Sequence, residues 1–237
     1  MARSEFEVSA YLRNDHLEIE CIITVMKKVR VSETRVPLSG IAAQLAKMLE
    51  ANDIPADIKF NVGGVVFGAH KLVLAIRSPV FKAEFYGPMK ETGTPFITIK
   101  DMQPDVFKAL LHFIYTDSLQ ITDDLEGNDR AEMVQHLLVA ADRYDMEKRK
   151  PVCERILCDN FDVENVATML ALADQHRCDI LNDACVGFIS SQKIMDSVAA
   201  TQGYADLKRS GPSILVDAQL KIMRRLYKNL DQQVTAR

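Results

Sequence analysis

The stretch "FGAHKLVLAIRSPVF", Phe67 to Phe81, decides how the centre of this 237-residue chain is interpreted. It contains a helix-forming run that opens on His70 and Lys71. Pro79 disfavours α-helical geometry in the residue before it, so the helix is predicted to end near Ser78. A basic pair in the first helical turn fits three interpretations: a catalytic site, a ligand-binding site made of basic side chains, or a structural joint. The neighbouring segments must decide between these interpretations.

Composition and charge are those of an ordinary globular chain. Apolar residues make up 48% of it and the net charge is -4, which fits one or two domains with a substantial core. Basic and acidic residues are interspersed, so no nucleic-acid partner is predicted. The N-terminus lacks the apolar core of a signal peptide, and no segment approaches the ~20 apolar residues of a membrane span. We therefore expect a protein of the nucleus, the cytoplasm or both, with no membrane partner.

The first 35 residues show the alternation of β-strands. In "HLEIECIITV", residues 16–25, apolar side chains alternate with mostly polar ones, and "FEVSAYL", residues 6–12, alternates in the same way. Two strands do not make a stable sheet alone, because about three or more are needed. We therefore expect the chain to begin inside a β structure whose other strands are missing, or to dock these two strands elsewhere.

The middle of the chain mixes helices and strands. An apolar stripe predicts a helix in "LSGIAAQLAKMLEAND", and Gly63-Gly64 predicts a two-residue hairpin turn between "DIKFNV" and "VVFGA". After the opening helix come a short strand, "PFITI", and a further helix, "PDVFKALLHFIYTDS". From Asp129 onward the apolar periodicity is helical. The sequence therefore predicts an α+β centre followed by an all-helical region.

Catalytic signatures are absent from the sequence. It has no P-loop, dinucleotide-binding, nucleophile-elbow or HExxH pattern. Ser78, Ser118 and the cysteines could act as nucleophiles, but no neighbour in sequence would activate them. Asp101, Asp105 and Asp117 flank one predicted helix, where capping is a commoner role than acid-base catalysis. We expect no enzymatic activity and no cofactor.

The five cysteines indicate neither disulfides nor a metal centre. Their number is odd, and no C-x-x-C pair occurs. The best metal-binding fragment, His176-Arg177-Cys178, supplies two ligands at most. We expect reduced, mostly packed thiols and no bound metal.

Several segments together resemble the BTB/POZ domain. They are "DIKFNV", "AHKLVLAIRSPVF", "FKALLHFIYT" and "AADRY", in the order hairpin, helix pair and later helices. The resemblance covers residues 40–147 and implies the BTB/POZ fold, a small sheet with a helical cluster. Within that fold the opening stretch is similar to the second core helix.

The flanking segments resemble two further domains. "RSEFEVSAYLRNDHLEIECIITV" is similar to the last strands of a MATH domain, as joined to BTB in the MATH-BTB proteins of plants. The segment from Val152 to Ser190 resembles the helical 3-box or BACK-like extension that follows BTB in those proteins. The implied domains are a MATH remnant (1–30), a linker (31–38), a BTB/POZ domain (39–147) and a BACK-like extension (148–232).

The resemblance implies a protein-binding function. In the family the MATH domain holds a substrate while BTB dimerises and binds a cullin, so the chain would be a substrate adaptor of a cullin-3 RING ubiquitin ligase that promotes ubiquitination and proteasomal degradation. The implied partners are a cullin-3-type scaffold, a second copy or a related BTB protein, and an unknown protein substrate. The family's substrate groove lies on earlier MATH strands that the sequence lacks, so we expect impaired substrate binding.

The same resemblance implies cullin-binding residues. Family members contact the cullin partly through a hydrophobic-x-Glu motif after the opening helical pair, and "PMKETG" supplies Met89 and Glu91. Without the family, a Met89 side chain folded onto its own core is an equal interpretation. The second-rank contacts are Phe85, Tyr115 and Tyr144, although core burial is the better interpretation for Phe85 and Tyr115.

A homodimer interface is implied as well. The first helix of the domain is more apolar than a lone surface helix needs, and obligate dimer interfaces are apolar. The implied interface residues are Ile41, Leu45, Met48, Leu49 and Val73. Asp57 and Lys71 match a charged pair that the family places near its dimer groove, with a partly buried structural ion pair as the physical alternative.

One alternative function belongs to a different class. A BTB dimerisation module that acts as a transcriptional coregulator would recruit corepressors through the dimer groove. No zinc-finger or basic DNA-binding segment follows the domain, which counts against it. An enzymatic function ranks third. The partners found in an affinity purification would distinguish the ligase adaptor, the transcriptional coregulator and the enzyme.

Overall fold

The computed structural model describes residues 12–13, 16–17, 40–50, 54–88, 96–119, 127–160, 162–190 and 192–235. The chain divides into two compact units, Met1–Glu33 and Thr34–Arg237. In the first unit, strands β1 (Leu12–Arg13) and β2 (His16–Leu17) pair antiparallel. They coincide with the end of the first predicted strand and the start of the second. The remaining residues of both predicted strands lie outside the described part of the chain.

A three-stranded sheet forms the β part of the second unit. Strands β3 (Ile58–Val62), β4 (Val65–Ala69) and β5 (Phe96–Ile99) lie in the order β4-β3-β5. The predicted hairpin is confirmed: β3 and β4 are antiparallel, and Gly63 and Gly64 have φ values of 57° and 88°. Glycine reaches this left-handed region without steric cost. Because β5 runs parallel to β3, the chain has to cross over between them.

Among the described residues, five helices accompany this sheet: α1 (Gly40–Glu50), α2 (Lys71–Arg77), α3 (Pro79–Tyr86), α4 (Pro104–Thr116) and α5 (Gly127–Arg143). Helices α1, α2 and α5 and strand β4 all pack against α4. Every residue of α4 from Leu110 to Thr116 is buried, as expected for a helix with apolar residues on all sides. Helix α4 is therefore the centre of the α+β region.

Aromatic rings fill the space between the sheet and the helices. Along β3, Ile58, Phe60 and Val62 are buried while Lys59 is exposed, which is the two-residue alternation of a strand with one face on the core. The ring of Phe60 lies 5.8 Å from that of Phe81 and 5.2 Å from that of Phe107. These contacts join β3 to α3 and α4.

The joint between α2 and α3 has the predicted form. Helix α2 ends at Arg77, and the extended Ser78 is followed by Pro79 in the first turn of α3. The buried Ser78 hydroxyl accepts the N–H of Phe81 at 3.2 Å and donates to the Tyr144 carbonyl at 2.6 Å. Ser78 therefore caps α3 and ties it to the residue that follows α5.

The described residues from Lys150 onward are mostly helical, which confirms the predicted α+β centre with a helical extension. Its helices are α6 (Lys150–Cys158), α7 (Val166–Gln175), α8 (Asp179–Ile189), α9 (Gln192–Ala199), α10 (Gln202–Ser210) and α11 (Pro212–Thr235). Helix α6 packs against α5 and α8, and α11 packs against α7, α8 and α10. None of the helices in the described ranges combines the length and apolarity needed to cross a bilayer.

Candidate protein-binding surface

Exposed apolar side chains mark the outer faces of α1 and α2. Ile41 on α1 is 71% exposed, and Leu72 and Ile76 on α2 are 62% and 72% exposed. Leu72 and Ile76 are spaced i, i+4 and so lie on one face of α2, while Leu74 is buried on the other. Apolar residues this exposed indicate a surface that binds protein. We call these three exposed side chains, Leu72 and Ile76 on α2 and Ile41 on α1, the α1–α2 surface, and we predict that they belong to one interface.

The predicted dimer residues divide into two groups. Ile41 is exposed, whereas Leu45, Met48, Leu49 and Val73 are half-buried and pack against the core. The half-buried group therefore holds α1 and α2 in place and leaves only part of its surface for a partner. Sequence reasoning did not single out Leu72 and Ile76 for the interface, although their i, i+4 spacing, out of phase with Leu74, was a usable signal. The interface itself stays a prediction.

The predicted cullin-binding motif lies outside the described residues, since Met89 and Glu91 follow the last described residue after α3. The prediction for them is unchanged. Phe85, near the end of α3, is half-buried, and its ring stacks on Phe81 with 5.6 Å between centroids. The next residue, Tyr86, is exposed and was missed by sequence reasoning. Helix α3 thus ends on an exposed aromatic ring just before the predicted motif.

Both tyrosines that were predicted to contact the cullin belong to the core. Tyr115 is 0% exposed and Tyr144 is 5% exposed, and the Tyr144 ring stacks on Phe81 at 4.4 Å. Burial raises the pKa of Tyr115 to about 12 and also raises the pKa of Tyr144. Burial agrees with the core interpretation preferred for Tyr115 and corrects the predicted cullin contact of both residues, because side chains with almost no exposed surface offer little area to another protein.

Tyr115 instead positions the start of α2 through His70. Its hydroxyl lies 2.9 Å from the backbone N and 2.9 Å from the ring Nδ1 of His70, while Nε2 of that ring lies 3.1 Å from the carbonyl oxygen of Ile54. A carbonyl only accepts, so Nε2 carries the ring proton and Nδ1 accepts the tyrosine O–H. His70 therefore has the structural role that sequence reasoning favoured for it.

The predicted charged pair is a helix cap. Oδ1 of Asp57 accepts the backbone N–H of Lys71 at 2.8 Å, so the carboxylate bonds the peptide group rather than the ammonium group. A negative charge at the first N–H groups of a helix complements the positive end of its dipole. The two residues are neighbours, as predicted, but the description as a charged pair is corrected to capping of α2 by Asp57.

The carboxylate that ends α4 also has a structural role. Asp117 adopts a left-handed φ of 57°, and its two oxygens accept bonds from Arg149 at 2.7 Å and Arg77 at 2.9 Å. These bonds link the ends of α2 and α4 to the residue before α6. The neutralising arginines make Asp117 a junction residue, in line with the capping role preferred over acid-base chemistry.

A buried lysine fastens the α+β region to the helical extension. Lys150 is 2% exposed, and its Nζ lies 2.8 Å from Asp142 Oδ1, 3.1 Å from Glu147 Oε1 and 2.6 Å from the His176 carbonyl oxygen. Asp142 Oδ2 also lies 2.8 Å from Nδ1 of His176. Burial alone would raise the pKa of Asp142, but hydrogen bonds from His176 and Lys150 outweigh it, so the pKa is lowered. We call these four residues the Lys150 cluster.

The described cysteines are packed thiols. Burial raises the pKa of Cys153, Cys178 and Cys185 to about 12 and that of the half-buried Cys158 to about 11, so all four stay protonated near neutral pH. Cys21 lies outside the described residues. Within the described ranges, no group of three or more metal-binding side chains is arranged to hold an ion. The described thiols therefore act as core residues.

Family comparisons match both parts of the second unit. The family model described as "BTB/POZ domain" matches residues 46–161, and the one described as "BPM/SPOP, BACK domain" matches residues 165–219. The second unit is thus a BTB/POZ domain that continues into a BACK domain.

Curated relatives narrow the family further. The chain is 41% identical over 222 residues to BTB/POZ and MATH domain-containing protein 3 of Arabidopsis thaliana, covering 90% of this chain and 54% of the relative. It is 36% identical over 226 residues to BTB/POZ and MATH domain-containing protein 4 of the same plant, covering 90% of this chain and 47% of the relative. The chain is therefore a protein with a BTB/POZ domain and a BPM/SPOP-type BACK domain that is similar to BTB/POZ and MATH domain-containing proteins, and it spans about half the length of these relatives.

Solved BTB domains also overlap with the chain. The match to the BTB domain of zebrafish PATZ1 covers 49% of this chain and 86% of the PATZ1 chain, with 23% sequence identity and a TM-score of 0.40. The match to the BTB domain of human Gigaxonin covers 49% of this chain and 89% of the Gigaxonin chain, with 20% sequence identity and a TM-score of 0.37. The family assignment rests on the family models and the curated relatives.

Proposed function

We propose that the chain is an adaptor of a cullin-RING ubiquitin ligase. In this role its BTB/POZ domain forms a homodimer and binds a cullin-3-type scaffold, which promotes the ubiquitination and degradation of a protein substrate. The observation that carries the proposal is the α1–α2 surface, a set of exposed apolar side chains on a domain of the BTB/POZ family. The proposal assigns substrate binding to the MATH part of the protein, of which residues 1–30 are the predicted end.

The exposed side chains of the α1–α2 surface favour self-association. Full burial of a large aliphatic side chain contributes about 1.5–3 kcal/mol relative to exposure in water. In a two-fold symmetric dimer each residue of an interface is buried twice, once from each copy. Burial of Ile41, Leu72 and Ile76 would therefore contribute a driving force of the same order as the entropy lost on association.

A charge in this surface tests the dimer. We expect Ile76→Asp to weaken dimerisation by about 100-fold, because the proposed dimer would bury an unpaired carboxylate from each copy. Light scattering on the eluting peak should give twice 26.6 kDa for the wild type and a single chain mass for the variant. Ile180→Asp, at an exposed isoleucine on α8, is the matched control and should stay dimeric. A dimeric Ile76→Asp variant would contradict the proposed interface.

The predicted motif accounts for cullin binding in this proposal. Methionine is flexible and polarisable and adapts to a partner's pocket, and a glutamate accepts hydrogen bonds from a partner's donors. The exposed Tyr86 ring lies shortly before Met89 and Glu91 in sequence and adds apolar area. Aromatic and methionine residues are enriched at protein interfaces, which supports this end of α3 as the contact.

Removing the motif should abolish this contact. We expect Met89→Ala combined with Glu91→Ala to weaken capture of a cullin-3-type N-terminal region by at least about tenfold, equivalent to ~1.4 kcal/mol. Surface plasmon resonance, in which each chain is titrated over the immobilised cullin region, measures the change. Met223→Ala with Glu164→Ala removes the same residue types at exposed positions elsewhere and should bind as the wild type does. Unchanged capture by the motif variant, with its dimer mass intact, would refute the contact.

A further inference from the structure

Among the side chains of the described residues, one buried polar atom has no hydrogen-bond partner. It is Nε of Arg149, the residue that precedes α6. The Arg149 side chain is 10% exposed, and its Cζ lies 5.9 Å from the centroid of the Phe113 ring, which covers one face of the guanidinium group. Nearly all buried polar groups in proteins are paired, so an orphaned one indicates that an acceptor is missing.

The shape of the guanidinium group indicates where the missing acceptor belongs. The N–H bonds of Nε and Nη2 leave the same edge of the group, the edge that can hold two oxygens of a carboxylate or a phosphate. Nη2 of Arg149 donates to Oδ1 of Asp117 at 2.7 Å, but Oδ2 of that carboxylate lies 2.9 Å from Nη2 of Arg77. Asp117 therefore bridges two arginines with one oxygen each and leaves Nε of Arg149 unpaired.

The charges of these three residues do not balance. In the part of the chain that the structure describes, Asp117 is the carboxylate that pairs with both Arg77 and Arg149, so two positive charges face one negative charge. Burial lowers the pKa of Arg149, the charge of Asp117 opposes this effect, and the charge of Arg77 adds to it. The side chains of Arg77 and Asp117 are 30% and 53% exposed, so the cluster reaches the protein surface. An added anion would find both an unused donor and an excess of positive charge.

We infer that Arg77, Asp117 and Arg149 form a binding site for a phosphoryl group. One phosphoryl oxygen would accept the Nε–H of Arg149, and a second would accept an N–H of Arg77 that Asp117 does not use. A phosphoryl group carries roughly two negative charges near neutral pH and several acceptor oxygens, which suits two guanidinium groups better than the single charge of a carboxylate does. The site uses none of the residues assigned to the cullin or dimer contacts, so the inference stands independently of the proposed function.

Calorimetric titrations of the full chain with inorganic phosphate, with acetate and with a short phosphoserine peptide test this inference. At equal ionic strength, phosphate and the phosphopeptide should bind at least about tenfold more tightly than acetate. Tighter binding of the phosphopeptide than of phosphate would identify a phosphorylated protein as the source of the group, and equal or weaker binding would identify free phosphate. Equal affinity for acetate, or no binding of either phosphate probe, would overturn the inference.

Variants of the exposed members locate the binding. Arg77→Gln should weaken phosphate binding by at least about tenfold, whereas Arg155→Gln, at an exposed arginine on α6, should leave it unchanged. Asp117→Asn removes the competing negative charge and should strengthen the binding. These opposite signs separate a binding site from a purely structural cluster, and weaker binding by both variants would overturn the inference. Binding by an Asp123→Asn, Asp124→Asn variant but not by the wild type would also overturn it, because the chain's own carboxylates would then fill the site.

Discussion

Replacing Phe81 with alanine is expected to lower the free energy of unfolding by about 3–5 kcal/mol. The side chain is 1% exposed, and its ring lies 4.4 Å from Tyr144, 5.6 Å from Phe85 and 5.8 Å from Phe60. Truncation removes apolar contacts with β3, with the residue after α5 and within α3 itself, and leaves a cavity among rigid rings. Urea unfolding followed by circular dichroism measures the change.

A second aromatic residue on the same helix provides the control. Tyr86 is exposed near the other end of α3, and Tyr86→Ala should change the free energy of unfolding by less than about 1 kcal/mol. The comparison removes any general effect of alanine on helix α3. Equal losses for Phe81→Ala and Tyr86→Ala would mean that the ring cluster does not hold α3 on the sheet.

Replacing Lys150 with methionine is expected to lower the free energy of unfolding by about 3 kcal/mol. The Lys150 ammonium group has three acceptors within 3.1 Å and almost no exposure to solvent. Its removal takes away one hydrogen-bond donor from the Asp142 carboxylate and one from the His176 carbonyl oxygen. The figure is at the lower end for a broken buried ion pair, because the Asp142 and Glu147 side chains keep some contact with water. Lys148→Met, at an exposed lysine, is the control and should change little.

The pH dependence of the Lys150 cluster has a definite sign. The folded pKa of Asp142 lies below its usual range, so its ionised form stabilises the fold above the unfolded pKa of about 3.9, and this contribution is lost as the pH falls through the folded pKa. The stability difference between the wild type and Asp142→Asn should therefore be largest near neutral pH and shrink below about pH 4. A difference that stays constant across this range would show that the charge of Asp142 is not what stabilises the junction.

Local chemistry accounts for the elements that the sequence predicted well. The end of α2 follows from the effect of Pro79 on Ser78, and the hairpin follows from the positive φ values available to Gly63 and Gly64. Both effects act between residues that are adjacent in the chain. They therefore depend little on how the rest of the molecule packs.

Contacts between distant segments account for what the sequence left open. A tyrosine suits an exposed interface as well as a core, and only the pairing of Tyr115 with His70, 45 residues away, completes its hydrogen bonds inside the protein. Ser78 and Tyr144 meet across 66 residues of sequence. No local pattern reports such pairs, so the burial of Tyr115 and Tyr144 could not be settled from the sequence.

Competition between partners explains the correction at Asp57. Opposite charges suggested an ion pair with Lys71, but the backbone N–H of Lys71 at the start of α2 is a fixed donor that needs an acceptor. A flexible lysine ammonium loses more side-chain entropy when it is held in one place. The capping bond is therefore the contact that the fold retains.

The most direct test of the account is the mass of the complex that the chain forms with a cullin-3-type N-terminal region. Light scattering across a size-exclusion peak of the mixture should give two copies of the chain and two of the cullin region, because in the proposed assembly each BTB/POZ domain of a dimer would bind one cullin. The Met89→Ala, Glu91→Ala variant should elute as a dimer without cullin. A wild-type chain that elutes apart from the cullin region would contradict the central claim that this BTB/POZ protein is a cullin adaptor.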